Sequence, residues 1–159
     1  AETLYLRALE AQERTLGEEH PKTLISVVSL AVLYRSQGRY DEAETLYLRA
    51  LEAQERTLGE EHLSTLISVN NLAWLQLELG QAIAREGFER CLAAWSDPTD
   101  WKHHWVRLGI ALCDALKTGD FAAAEVVIRD LVDLLGEGHD RVAQAHDRVA
   151  MVRTLRDTA

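Results

Sequence analysis

Proline is scarce in this chain, with two in 159 residues, and none of the nine glycines adjoins another. Long stretches can therefore run as uninterrupted helix, and an apolar content of 47% argues for a globular chain over a disordered one. Basic residues are also few: 17 against 26 acidic, for a net charge of −9. Affinity for nucleic acid comes mainly from Lys and Arg neutralising phosphates, so no nucleic-acid partner is expected. The same deficit argues against an anionic membrane surface. Apolar runs are far shorter than a membrane span, and no signal-peptide pattern opens the chain. The two cysteines, Cys91 and Cys113, give neither a disulfide framework nor a zinc spacing. A reduced, intracellular setting, the cytoplasm, is the expectation. No initiator Met is present and the chain opens inside a repeat, so the reading is of a piece of a longer array.

What the chain does have is repetition. AETLYLRALEAQERTLGEEH occupies residues 1–20 and returns unchanged at 43–62, an offset of 42 residues. The likeness continues: PKTLISVVSLAVLYRSQG at 21–38 is answered by LSTLISVNNLAWLQLELG at 63–80. A fixed period filled with helix formers marks stacked helical hairpins, each burying its apolar face on its neighbour. Ala43, Leu46, Tyr47, Ala50 and Leu51 form one helical stripe, and Leu24, Val27, Leu30, Ala31 and Tyr34 form another. Pro21 fits the first turn of its helix, and Gly59 is expected to close the helix at 40–57 in a left-handed cap. Ala31 and Ala73 recur where two helices must approach closely, and bulk there would overpack the contact. Further on, Asp97 is read as a cap with Pro98 starting the next helix, and Asp120 as the cap of another. The spacing predicts eight helices, at 1–15, 21–37, 40–57, 63–79, 82–95, 99–117, 120–135 and 140–157.

The segment from Leu30-Ala31 through Tyr34, Gly38, Tyr40, Ala43 and Tyr47 to Ala50-Leu51 resembles a tetratricopeptide repeat. The 42-residue period and the Leu-Gly-Glu-Glu-His-Pro loop are similar to the kinesin-light-chain subtype of that family. Trp105-x-x-Leu108-Gly109-x-x-Leu112 resembles the family's first-helix pattern. The resemblance implies an all-α, right-handed solenoid of antiparallel helix hairpins forming one domain. Its parts are a half repeat at 1–15, repeats at about 21–57, 63–95 and 99–135, and a terminal cap helix at 140–157. It also implies a protein–protein interaction module that binds a protein or extended peptide in a concave groove lined by the first helix of each pair.

By that registration the groove candidates are Ile25, Val28, Val32 and Arg35, then Ile67, Asn70, Trp74 and Leu77, then His103, Val106, Arg107 and Ile110. Asp147 and Met151 complete the row. In the subtype an Asn matching Asn70 or Asn71 often holds the ligand backbone, and an Asn amide can pair with both N–H and C=O of an extended peptide. A plain solvated helix position is the other reading, and the first repeat carries Val28-Ser29 there instead. Trp74 is read as a groove aromatic and Trp105 as core.

Adjacent His103 and His104 point about 100° apart on a helix, which disfavours a shared metal. His20, His62 and His139 recur at helix starts and are read as structural. No nucleophile–base–acid constellation or Gly-rich phosphate loop is present, so no enzyme activity, cofactor or metal is expected. Two alternatives stand beside the binding module. One is a spacer and end cap of a longer array with no ligand of its own, which the near-identity of the repeats favours. The other is part of a regulator whose catalytic module lies elsewhere in a parent chain. The apolar stripe of the opening helix (Leu4, Tyr5, Ala8 and Leu9) also suggests self-association through that end.

Overall fold

The computed structural model describes residues 2–158. Eight helices account for the ordered elements among them: α1 (Glu2–Leu16), α2 (Pro21–Ser36), α3 (Tyr40–Leu58), α4 (Leu63–Glu78), α5 (Ala84–Ala94), α6 (Trp101–Thr118), α7 (Ala122–Leu135) and α8 (Asp140–Thr158). The expected start of the first helix, Ala1, lies outside the described residues. The fold is all-α and built of helical hairpins, as the period requires. The chain divides into two compact units, Ala1–Leu75 and Gln76–Ala159.

In the first unit α2 packs on both α1 and α3. The stripes anticipated from spacing meet there: Val27, Leu30, Ala31 and Tyr34 of α2 pack with Ala43, Tyr47 and Ala50 of α3 in one core cluster. Arg39, at the start of α3, joins all three helices. Its guanidinium pairs with Glu42 at 2.5 Å and Glu2 at 2.7 Å, and lies 3.7 Å from the centre of the Tyr34 ring. The Arg39 hydrogen bonds hold both carboxyl groups below their ordinary range.

In the second unit α6 is the central element, packing on α5, α7 and α8. It buries Trp105, Leu108, Gly109 and Leu112, so Trp105 is a core residue as expected. An ion pair between Arg148 of α8 and Glu78 at the end of α4 is mostly shielded from water, at 19% and 17% side-chain exposure.

Three local expectations need correction or refinement. Pro98 does not open α6. Asp97 instead accepts from the Thr99 amide at 2.8 Å and its hydroxyl at 2.7 Å, forming a turn ahead of the helix. Asp100 is the cap, accepting from Lys102 N–H at 2.9 Å. Gly59 has a positive φ of 94°, but its ψ of 162° lies outside the left-handed helical region, so α3 ends in extended backbone. Asp120 does accept from Ala122 N–H at 2.9 Å, yet Phe121 stands between it and the first helical residue.

The repeated histidines have a shared local role. Nδ1 of His20, His62 and His139 accepts from the backbone N–H two residues on, at 3.2, 3.1 and 3.1 Å. Each satisfies one of the amide donors that a helix N-terminus leaves unpaired.

Candidate functional site

The first unit holds a cleft of about 280 Å³ lined by Ile25, Val28, Gln54, Ser64, Ile67 and Ser68. Its walls come from the first halves of α2 and α4, and its floor from the end of α3. The helical phase explains the residue types. Tyr47, Ala50 and Gln54 fall at i, i+3 and i+7, so the buried stripe of α3 ends in an amide where apolar residues stood before. Ile25 and Ile67, one period apart, lie off the buried stripes and remain 56% and 42% exposed.

Two of the residues lining this cleft carry enclosed polar atoms. Gln54 is 2% exposed and Ser68 fully buried, yet Gln54 Oε1 and Ser68 Oγ have no hydrogen-bond partner. Ser29, by contrast, returns its hydroxyl to the Ile25 carbonyl at 2.9 Å, the usual outlet for a helical serine. Thr65, also buried, donates to the Gly59 carbonyl at 2.8 Å. Leaving a buried polar group unpaired costs about 1–3 kcal/mol, so each such group needs an explanation.

The candidates from the sequence divide into several groups. Ile25, Val28 and Ile67 line the cleft, and Val32 is exposed at 45% on α2. Arg35 is half-buried. Asn70 is half-buried with its Oδ1 enclosed and unpartnered, and it is outside the cleft lining. Trp74 and Leu77 are not groove residues: they are 1% and 0% exposed. The second half of α4 buries Leu72, Ala73, Trp74, Leu75 and Leu77, so almost its whole circumference is apolar. A helix apolar all round is a buried helix, and a registration borrowed from amphipathic repeats fails on it. Val106 is fully buried for the same reason, within an α6 that also buries His104, Trp105 and Leu108.

The remaining candidates belong to the second unit. His103 is half-buried with Nδ1 3.0 Å from the Trp95 carbonyl, an arrangement in which the ring N–H donates. Arg107 donates to Asp130 at 3.3 Å. Arg107 and Ile110 line a second cleft of about 400 Å³ with Leu92, Asp114, Val126 and Val127 among its walls. Asp147 and Met151 line a third, of about 350 Å³, beside Glu78 and Arg148.

Gln54, Ser64 and Ser68 are not among the residues that the sequence singles out. The available signal was a glutamine in the buried phase of α3, but registration by first helices looks only at α2 and α4. Among the described residues no group of three or more His, Cys, Asp or Glu side chains could hold a metal ion. No described helix is long and apolar enough to cross a membrane.

Two family profiles, both described as tetratricopeptide repeat, match residues 24–97 and 1–22. The human protein named tetratricopeptide repeat protein 19, mitochondrial, is 42% identical over 43 residues. That match covers 27% of this chain and 11% of the human protein. The crystal structure of BtubC (BKLC) from P. vanneervenii aligns with a TM-score of 0.63 at 20% identity, covering 99% of this chain and 57% of that one. At that identity the likeness is one of fold.

Proposed function

The chain belongs to the tetratricopeptide-repeat family, and on that premise we propose that it is a protein-interaction module that binds an extended peptide segment at the α2–α4 face of its first unit. Repeats of this family serve protein–protein association. The supporting observation is the cleft lined by Ile25, Val28, Gln54, Ser64, Ile67 and Ser68, in which the aliphatic side chains of Ile25 and Ile67 stay exposed beside polar residues. Binding sites typically join an apolar lining to a few placed hydrogen-bonding groups. Exposed Val32 on α2 extends the apolar surface beyond the cleft. The net charge of −9 disfavours a strongly acidic peptide through like-charge repulsion.

Selection from a displayed random-peptide library tests the reading. Selected peptides should lose tenfold or more in affinity on Ile67→Glu, while the helical signal stays unchanged. A spacer without a ligand yields no enriched sequence, and that outcome rejects the reading.

A second contact is favoured by one observation. Tyr5 and Tyr47 occupy matching places in identical sequences, yet Tyr5 is 41% exposed and Tyr47 is fully buried. Leu4 and Leu6, at 68% and 43%, extend that open face of α1. We propose that this face supports self-association. Sedimentation should show a dimer that Leu4→Glu returns to monomer, and a monomer at high concentration rejects it.

A further inference from the structure

Residues 1–20 and 43–62 are identical, so α1 and the matching part of α3 differ only in what surrounds them. In α3 the apolar stripe is covered. Tyr47 and Ala50 are fully buried, in one cluster with Val27, Ala31 and Tyr34 of α2. Its arginines are also matched. Arg49 donates to Glu13 of α1 at 2.6 Å and lies 3.8 Å from Glu18, while Arg56 pairs with Glu19. The α1–α2 hairpin thus offers α3 an apolar helix face together with carboxylates. The corresponding residues of α1 are open. Leu4, Tyr5 and Ala8 are exposed, and Arg7 and Arg14 are exposed with no partner among the described residues. An apolar stripe beside unpaired guanidinium groups fits a surface that is apolar with acidic groups at its edge.

The α7–α8 hairpin repeats the features of α1–α2. His139 caps α8 through Nδ1 as His20 caps α2. Aligned on these histidines, Ala150 stands in the place of Ala31, His146 in that of Val27, Arg153 in that of Tyr34 and Glu137 in that of Glu18. Val27, Ala31 and Tyr34 are buried, whereas His146, Ala150 and Arg153 are exposed. Glu137 is exposed as well, with no partner among the described residues. The face that α2 turns to α3 is therefore open on α8, and the face that α3 turns to α2 is open on α1. Resting on the self-association reading above, we propose that the surface meeting α1 is the α7–α8 hairpin of a second copy: α8 covers the stripe of Leu4, Tyr5 and Ala8, and Glu137 pairs with Arg7 as Glu18 does with Arg49. Small Ala150 allows the close approach that Ala31 allows in α2. His146 and Arg153 replace an aliphatic and an aromatic residue, so less apolar area is buried than between α2 and α3, and the copies exchange. The interface is heterologous, with two different surfaces of the chain meeting.

Sedimentation of the full chain tests it with two complementary variants. Leu4→Glu spoils the α1 surface and leaves α8 intact. Ala150→Arg spoils the α8 surface, setting bulk and positive charge against Arg7, and leaves α1 intact. Each variant alone should be monomeric, with an unchanged helical signal, at a concentration where wild type associates. Mixed in equal amounts, they should form a one-to-one dimer, because one intact surface of each kind is then present. A charge swap reads the same junction without added bulk. Arg7→Glu should weaken association threefold or more, and Arg7→Glu with Glu137→Arg in the same chain should restore it. Ala150→Arg chains that associate as wild type does overturn the proposal and leave α1 pairing with α1. A mixture that stays monomeric while wild type associates also overturns it, as does a charge swap that restores nothing. Wild type that is monomeric at high concentration instead overturns the self-association reading, and this proposal with it.

Discussion

Phe88 of α5 and Gly109 of α6 meet so closely that a β-carbon built on Gly109 would lie 2.6 Å from the Phe88 ring. Both residues are buried. Glycine in a helix interior costs about 1 kcal/mol against alanine, so the contact outweighs the propensity. Gly109→Ala should lower stability by about 1–3 kcal/mol despite the better helix former, because the core is overpacked. Denaturant unfolding checks it. Phe88→Leu should recover part of the loss in the double variant, as expected for residues in contact.

Tyr47 and Tyr5 allow a comparison at constant local sequence. Tyr47 is fully buried, so Tyr47→Ala should cost about 3–5 kcal/mol, the range for large aromatic truncations in a core. Tyr5, 41% exposed, should cost well under half of that on the same substitution. Equal thermal shifts for the two variants would contradict the burial pattern.

The same pair shows where sequence reading stops. Spacing located all eight helices to within two residues at either end, because helix phase and loop chemistry are local properties. Local spacing alone gives Tyr5 and Tyr47 the same phase, and only their place in the repeat order marked the stripe of the opening helix as the open one. Trp74 failed in a different way. An aromatic at a groove register was indistinguishable from core filling until the surrounding residues, Ala73 and Leu75, proved buried as well. Ile25, Val28 and Ile67 stand out in the sequence as aliphatic residues off the buried stripe, and they line one cleft. Gln54 does not stand out, since a polar residue in a buried phase signals nothing until its hydrogen bonds can be counted. Asp97-Pro98 misled because Asp97 spends its carboxylate on the Thr99 amide and hydroxyl, and a second aspartate three residues on does the capping.

Cys91 and Cys113 form no disulfide and both are buried. Burial pushes the Cys91 thiol up to about 12 and that of Cys113 to about 11, from an ordinary 9.0. The thiolate is the reactive form, so both should resist alkylation at pH 8 in the folded chain and react together on unfolding. The sign of the pH dependence follows. With folded values raised, the unfolded chain gives up these protons first, so their contribution is complete below pH 9 and is lost between about 9 and 12. Denaturant midpoints should therefore fall across that window, and Cys91→Ala should reduce the slope. A flat profile above pH 9, or rapid alkylation of the native chain, would contradict the buried placement.

A peptide received on the α2–α4 face of the first unit would perturb the amides lining it. Amide chemical-shift mapping of the isotope-labelled chain, titrated with a display-selected peptide, tests it most directly. The largest shifts are expected at Ile25, Val28, Ile67 and Ser68, together with movement of the Gln54 side-chain amide. Shifts confined to α7 and α8, with the α2 and α4 signals unmoved at saturation, would contradict it.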